Sequence, residues 1–381
     1  MRTYYSYRPP RISRADYIQK SNRSSLSSYI FSFGVIALGI GVGLSTLHQP
    51  DLLNASVLNS TEDERVLSAR IKASDTLLTH VIPFLKTSAT HWKLQDQRPQ
   101  QAIGGGPGLL KDALSVKAAL SINMDTGEVY YANNSAKRLP MASTTKIMTA
   151  MVAMDLASMD EEFAVETPAT EVEPTIIGVK AGEKLSTREL IQGGLLTSGN
   201  DAMAVLAESI GKKYGGNTNL FVKAMNEKAA FLGLKNTHFT NPQGYDNPEH
   251  YSTCEDLAVM ARYAMTHYPE LSGIVSKREA YLEASSTHAG FRLPNWNMLI
   301  NTYPGANGVK IGNTGDAGHT TIASATRDGK QVVAVVLGAD GILKRDLSAA
   351  ELLNVGFQAL GIAPFTMTED ILRTRIKDWY P

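Results

Sequence analysis

The chain has 381 residues, of which 43% are hydrophobic and 19% are charged, as in ordinary globular proteins. This composition argues against a disordered chain and allows one large domain or two smaller ones. Lys plus Arg and Asp plus Glu number 37 each, so the overall charge gives no reason to expect a nucleic-acid partner. Cys254 is the single cysteine, which excludes an intrachain disulfide.

The N-terminal region combines a basic segment with an apolar one. Residues 1–28 carry six basic side chains against one acidic, and residues 29–47, YIFSFGVIALGIGVGLSTL, carry no charge. As a helix this segment spans about 28 Å, close to the hydrocarbon thickness of a membrane, about 30 Å. We predict a cytoplasmic segment 1–28 and an uncleaved single-pass transmembrane anchor 29–47, with the rest of the chain on the outer side. A cleaved signal peptide is the alternative, and the GxxxG pair Gly39 and Gly43 permits a dimer.

Residues 48–112 are predicted to form a stalk and linker. Apolar residues recur at helix-compatible spacings between Leu67 and Leu85, after a capping-box pattern at Ser60. The segment GGGPG at 104–108 then interrupts regular structure and marks a domain boundary. His80 and His91 have no partners at metal-ligand spacing, so we expect no metal site here.

Residues 113–362 are predicted to form one α+β domain. Strand patterns flank the turns at 125–127 and 328–329, and helix patterns cover residues 146–157, 202–210, 220–232 and 348–360. Strands early and late with helices between them predict an α/β sandwich, in which helices flank an antiparallel sheet of about five strands assembled from both ends of the domain. Residues 363–381 are left as a C-terminal tail.

The stretch PMASTTKIMTA, residues 140–150, places Ser143 three positions before Lys146 at the start of a predicted helix. This spacing sets both side chains on one helix face, with Ser143 at the positive end. A serine hydroxyl becomes a nucleophile when a base takes its proton. A lysine serves as that base when burial and a second cation bring its pKa down from about 10.4 toward neutrality. The spacing alone is weak evidence, because Ser209 and Lys212 repeat it.

Two distant segments add a second hydroxyl and a second cation. LLTSGNDA contains Ser198-Gly199-Asn200, and NGVKIGNTG contains Lys310-Ile311-Gly312 at the predicted start of a strand. Ser-x-x-Lys, Ser-x-Asn and Lys-x-Gly in this order are typical of the serine penicillin-recognising enzymes. With these motifs the chain resembles the D-alanyl-D-alanine carboxypeptidases, the low-molecular-mass penicillin-binding proteins of the β-lactamase and DD-peptidase superfamily. The resemblance covers about residues 115–360.

The resemblance implies a bacterial hydrolase that removes the terminal D-alanine from peptidoglycan stem peptides and that β-lactams inhibit covalently. Ser143 would form the acyl-enzyme and Lys146 would act as its base. Ser198 would belong to the proton relay, and Asn200 would orient Lys146 and the substrate amide. No metal or organic cofactor is implied.

The resemblance also implies the residues that bind the substrate. Lys310 and Gly312 belong to the third motif, and Lys310 would raise the local positive potential. The backbone N–H groups of Ser143 and Asn313 would form the oxyanion hole. Arg345 would bind the substrate's terminal carboxylate through two hydrogen bonds.

Ile311 departs from the family pattern, which has Thr between Lys and Gly. The missing hydroxyl corresponds to the loss of a hydrogen bond worth about 1.5–3 kcal/mol. Binding of the transition state would therefore be about ten- to hundredfold weaker. Asn313, Thr314 and Arg345 are the candidates to compensate. The alternative functions are a peptidoglycan-binding relative with little or no activity and, less favoured, a β-lactamase, because Ser-Gly-Asn replaces the Ser-Asp-Asn of class A enzymes.

Overall fold

The structure is a computed structural model that describes residues 94–95 and 114–379. The predicted cytoplasmic segment, the transmembrane anchor and nearly all of the stalk lie outside the described residues. Among the residues described, no helix has both the length and the apolar character needed to cross a membrane.

Nine strands occur in the described part of the chain, and five of them form the main sheet. In chain order the strands are β1 (Ala118–Asn123), β2 (Val129–Asn133), β3 (Glu162–Ala164), β4 (Lys184–Ser186), β5 (Glu279–Leu282), β6 (Phe291–Pro294), β7 (Ala306–Thr314), β8 (Gly318–Arg327) and β9 (Lys330–Ala339). The main sheet has the order β2-β1-β9-β8-β7, and all its pairings are antiparallel. Strand β1 pairs with β9, which confirms a sheet assembled from both ends of the domain.

Both predicted hairpins are confirmed. Between β8 and β9, Asp328 (φ 49°) and Gly329 (φ 70°) are both left-handed, as a two-residue type I′ turn requires. Between β1 and β2, the Asn123 side chain accepts hydrogen bonds from the N–H groups of Asp125 and Thr126, at 2.9 and 3.1 Å. Turn chemistry readable in the sequence therefore fixes two of the sheet's connections.

Nine helices surround the sheet in the described part of the chain. They are α1 (Lys146–Leu156), α2 (Thr167–Thr170), α3 (Thr187–Leu196), α4 (Asn200–Lys213), α5 (Thr218–Phe231), α6 (Cys254–His267), α7 (Pro269–Val275), α8 (Ile342–Ala359) and α9 (Glu369–Trp379). The sheet has an apolar core on each face, because side chains along a strand point alternately to opposite faces. Leu120 packs into the core shared with α1 and α3–α7, and Ala119 packs into the core beneath α8.

Several elements differ from the sequence prediction. Helices α3, α6 and α7 were not predicted, and α8 begins at Ile342, six residues earlier than expected. Lys310 lies in the middle of β7, whereas the sequence predicts it at the start of a strand. The segment left as a C-terminal tail contains α9, whose Leu372 is fully buried against the α8 side of the fold.

Candidate active site

Ser143 lies in a 3-10 turn, Ala142–Thr145, that leads directly into α1. The turn begins with an unusual backbone conformation, because Ala142 is left-handed at φ 49°. Such a conformation costs a non-glycine residue about 1–3 kcal/mol and persists only where neighbouring contacts impose it. Backbone strain of this kind is often found at functional sites, and here contacts with neighbouring residues hold the turn that carries Ser143.

Lys146 is the first residue of α1 and is fully buried. Its Nζ lies 2.7 Å from Ser143 Oγ and 2.7 Å from the backbone carbonyl oxygen of Gln243. A neutral amine in this position donates one N–H to the Gln243 carbonyl and keeps its lone pair for the Ser143 proton. The separation of the two side chains is within the range needed for general base catalysis.

The electrostatics of the site favour a neutral Lys146. Burial lowers the pKa of Lys146 well below its ordinary value, the positive charge of Lys310 lowers it further, and the Asp201 carboxylate opposes both. Burial and the nearby Arg345 guanidinium lower the pKa of Lys310 to about 7. Burial and a second cation, the two causes named from the sequence, are therefore both present.

The second motif lies at the start of α4. Ser198 is left-handed at φ 63°, and Asn200 begins the helix. The Asn200 side-chain amide donates to the carbonyl oxygen of Glu173 at 2.8 Å, and Tyr245 Oη donates to the same oxygen at 3.1 Å. Within residues 114–379, neither the Ser198 hydroxyl nor the Asn200 side chain bonds to Lys146. The proton relay and the orienting role therefore stay predictions.

Asp201, the residue after this motif, anchors a loop beside the site. Its buried carboxylate accepts hydrogen bonds from three successive backbone N–H groups, those of Ile177 (3.0 Å), Gly178 (2.8 Å) and Val179 (3.2 Å). Residues 173–179 carry both the Glu173 carbonyl and the Thr175 hydroxyl, which donates to the Ser198 carbonyl at 3.1 Å. Sequence analysis assigned no role to Asp201.

A second loop, residues 241–246, was also missed by sequence analysis. The Asn241 side chain accepts from the backbone N–H groups of Gly244 and Tyr245, at 2.7 and 2.9 Å, and so fixes the turn that presents the Gln243 carbonyl to Lys146. At the far end of the loop, Asp246 accepts from Thr314 Oγ1 at 2.6 Å. The loop therefore links the Lys146 amine to the end of β7, and the turn-forming sequence Asn-Pro-Gln-Gly is the signal that could have predicted it.

Strand β7 brings the third motif into contact with the turn Ala142–Thr145, which carries Ser143. A Cβ atom at Gly312 would lie 2.8 Å from Ser143 N and 2.6 Å from Thr320 Oγ1, so a side chain there would force the strand away. Asn313 follows Gly312 and is exposed. Because β7 is an edge strand of the main sheet, an extended peptide can add to its open edge beside Ser143.

Arg345 lies in the first turn of α8 and is 2% exposed. Its guanidinium makes two hydrogen bonds to the buried carboxylate of Asp346, at 2.7 and 2.8 Å. Its charge also contributes to the lowered pKa of Lys310 and of His319. The structure thus pairs Arg345 with a carboxylate of its own chain, and its role in substrate binding stays a prediction.

The sequence matches the family model for D-alanyl-D-alanine carboxypeptidase over residues 108–341. The chain belongs to this family. It is 35% identical over 271 residues to D-alanyl-D-alanine carboxypeptidase DacF of Bacillus subtilis, covering 70% of this chain and 68% of that protein. It is 32% identical to the D-alanyl-D-alanine carboxypeptidase of Streptomyces sp. strain K15, over 67% of this chain and 92% of that protein.

Solved structures confirm the fold class. The crystal structure of the Streptomyces K15 DD-transpeptidase is similar at a TM-score of 0.61 and 30% identity, covering 64% of this chain and 98% of that one. The carboxypeptidase DacD from Francisella tularensis is similar at a TM-score of 0.61 and 27% identity, covering 71% of this chain and 75% of that one. The α+β domain with its antiparallel sheet is the fold of this family.

Proposed function

We propose that this D-alanyl-D-alanine carboxypeptidase removes the terminal D-alanine of peptidoglycan stem peptides through an acyl-enzyme on Ser143. The observation that carries the proposal is the 2.7 Å contact between the Ser143 hydroxyl and Lys146, an amine that burial and Lys310 keep toward its neutral form. The second Ser-x-x-Lys pair of the chain lacks this setting: Lys212 is exposed and forms ion pairs with Glu166 and Glu208.

In the first half of the reaction, Lys146 takes the hydroxyl proton while Ser143 Oγ bonds to the carbonyl carbon of the penultimate D-alanine. The backbone N–H groups of Ser143 and Asn313 stabilise the resulting oxyanion. Collapse of the tetrahedral intermediate breaks the peptide bond, and the leaving amine of D-alanine takes the proton that Lys146 held. Asn200 and Ser198 border the site from the start of α4 and are assigned to substrate orientation and proton transfer.

In the second half, water attacks the Ser143 ester and Lys146 removes its proton. The shortened peptide leaves and Ser143 regains its hydrogen. A β-lactam carries a strained amide that Ser143 opens in the same first step, and its ring-opened product blocks the approach of water. The same residues therefore account for both peptide cleavage and covalent inhibition by penicillins.

Residues 29–47 are assigned as a single-pass membrane anchor that holds the enzyme on the outer side of the bacterial cell membrane. The support is the charge-free sequence of these residues and the basic segment before them. This location places the active site where peptidoglycan is found.

A peptidoglycan-binding relative with little turnover is the second candidate. Two observations favour it: Ile311 brings no hydroxyl to the third motif, and the Arg345 guanidinium is already bound by Asp346. Such a protein would retain affinity for stem peptides but would acylate slowly.

Labelling of the full-length protein with a fluorescent penicillin separates the candidates. A stable adduct that is lost in Ser143→Ala and Lys146→Ala supports the carboxypeptidase, whereas rapid penicillin hydrolysis supports a β-lactamase. The absence of an adduct on the unaltered protein favours the low-activity relative. The matched controls are Ser209→Ala and Lys212→Ala, which remove the same residue types at the same spacing and should label fully. Release of D-alanine from a peptide ending in D-Ala-D-Ala then measures turnover directly.

A further inference from the structure

We propose that His319 donates a hydrogen bond to the terminal carboxylate of the substrate, in the position where Ile311 offers no donor. This inference rests on the proposed function, because it assigns a specificity-determining residue to the same active site. It concerns Ile311, where the chain departs from the third motif of the family.

The strand register places His319 on the same face of the sheet as Ile311. In the β7–β8 pairing, Ile311 is opposite Thr321 and Asn313 is opposite His319. Residues two apart on a strand, and residues directly opposite each other, share one face. Thr320 points to the other face, where its hydroxyl donates to the Met141 carbonyl beside the nucleophile turn, at 3.2 Å. His319 and Ile311 therefore lie on the α8 side of the sheet, His319 on β8 and Ile311 on the neighbouring edge strand β7, whereas the turn that carries Ser143 lies on the other side.

The His319 ring has hydrogen-bonding capacity that the fold does not use. Its Nδ1 is buried and has no hydrogen-bond partner within residues 114–379. Its Nε2 makes no hydrogen bond to the described residues either, and unlike Nδ1 it is not fully buried, so it is open to solvent. A buried N–H without an acceptor is costly, so the ring hydrogen resides on Nε2, where a ligand can accept it.

The charges around His319 suit an anion. The Arg345 guanidinium lies near both His319 and Lys310, and burial together with this cation lowers the pKa of His319 to about 4. The ring is therefore neutral near pH 7 and acts as a directed N–H donor, while Lys310 and Arg345 provide the positive potential. Asp346 accepts from two of the five N–H donors of Arg345 and offsets part of its charge, so an N–H of His319 adds a directed donor to what Arg345 offers.

A pair of substrates tests the assignment. One is a peptide ending in D-Ala-D-Ala with a free carboxylate, and the other is the same peptide with a C-terminal amide. His319→Ala should lower kcat/KM for the free acid about ten- to hundredfold, the loss expected for a hydrogen bond to a charged group, and should change kcat/KM for the amide by less than about twofold. His319→Gln, which keeps a side-chain donor, should retain part of the activity on the free acid.

Substitution of Ile311 provides a second test of the role of His319. When Ile311→Thr is added to the His319→Ala variant, activity on the free acid should return, because the new hydroxyl can donate a hydrogen bond to the substrate carboxylate in place of His319. In the unaltered background the gain from Ile311→Thr should be smaller, and the difference between the two gains measures the coupling between positions 311 and 319. The matched control is His267→Ala, which removes a histidine that stacks on Tyr263 at the end of α6 and should leave both substrates unaffected.

The outcomes separate this inference from the proposed function. An unaltered protein that neither labels with penicillin nor releases D-alanine overturns both. An active protein in which His319→Ala has no effect, or lowers activity equally on acid and amide, overturns the role of His319 alone. A loss confined to the free acid, with rescue by Ile311→Thr, supports it. Thermal unfolding of each variant identifies any that fails to fold. If His319→Ala does not fold, His319→Gln is compared with the unaltered protein instead.

Discussion

Gly312 on β7 lies so close to Ser143 that a Cβ atom added to it would stand 2.8 Å from the Ser143 backbone nitrogen. The neighbouring atoms are the backbone of the nucleophile turn and the Thr320 hydroxyl, which hydrogen-bonds to Met141. Neither can move without shifting the turn. This contact positions the proposed oxyanion donors, Ser143 N–H and Asn313 N–H, relative to each other.

We therefore expect Gly312→Ala to reduce the rate of penicillin acylation at least about 100-fold, the cost of displacing one oxyanion-hole donor. The control is Gly315→Ala in the turn after β7, where an added Cβ meets only the Asp246 carboxylate at 3.8 Å. Stopped-flow acylation of both variants provides the comparison. Equal rates in the two variants would show that β7 does not set the geometry of the nucleophile.

The charge of Lys310 should appear in the pH dependence of activity. Its pKa in the free protein is lowered to about 7, so it loses its proton, and its attraction for a substrate carboxylate, as the pH rises above that value. Because kcat/KM reports the free enzyme, kcat/KM for a free-acid peptide should fall above about pH 7. A bound carboxylate favours the charged form, so the corresponding decline in kcat should occur at higher pH.

Lys310→Met tests the other consequence of this charge. Lys310 helps to lower the pKa of Lys146, so its removal should raise the pKa of Lys146 and move the acidic limb of the profile to higher pH. The pH profiles of kcat and kcat/KM for the unaltered protein and the variant provide the measurement. An acidic limb that stays in place would mean that burial alone keeps Lys146 neutral.

Asp201 has two effects, and one substitution changes both, each with its own measurement. Its carboxylate holds the loop 173–179 through three backbone N–H groups, and its charge raises the pKa of Lys146. Asp201→Asn should lower penicillin affinity because the loop loses acceptors, while the acidic limb of the pH profile should move to lower pH. Asp160→Asn is the control, since Asp160 is exposed and only contacts Arg188 at 3.4 Å. If binding weakens but the pH profile does not change, Asp201 acts only by holding the loop 173–179.

The sequence predicts those parts of the structure that depend directly on the identity of particular residues. The turns at 125–127 and 328–329 predicted two hairpins, and the spacing of Ser143 and Lys146 predicted a contact that the structure contains. Helices α3 and α6 had readable signals that periodicity alone did not detect. Ser186 and Glu189 form a capping box before α3, and Thr253 caps α6 by accepting from Asp256 N–H.

Other parts of the site cannot be predicted from the identity of the residues. Lys146 is held by the backbone carbonyl of Gln243, a group that any residue would supply at that position. The side chain of Asn200 points to the Glu173 carbonyl because of the path of a distant loop, which the motif does not encode. Arg345 and Asp346 are neighbours in the chain, but their ion pair depends on burial that becomes visible only when α8 packs on the sheet.

His250 supports the nucleophile turn and should make the stability of the protein depend on pH. Its Nδ1 accepts the Thr240 N–H at 3.0 Å, so the ring hydrogen is on Nε2, which lies 2.8 Å from Thr145 Oγ1. Thr145 in turn donates to the Ala142 carbonyl at 2.8 Å, at the left-handed start of the turn. This chain of hydrogen bonds requires a neutral imidazole.

Burial is the main cause that lowers the pKa of His250 to about 4, and positive charge on His238 or Lys146, when they are protonated, lowers it further. The unfolded chain binds a proton at an ordinary pKa of about 6.5, so between pH 6.5 and 4 the unfolded state takes up more protons and the free energy of unfolding falls. The loss amounts to at most about 3–4 kcal/mol for this residue. His319, whose pKa is lowered to about 4 as well, adds to the slope in the same direction. Urea unfolding at a series of pH values should show a smaller decline for His250→Gln than for the unaltered protein. Parallel curves would mean that His250 does not stay neutral in the folded state and that the hydrogen-bond chain to Ala142 has a different donor order.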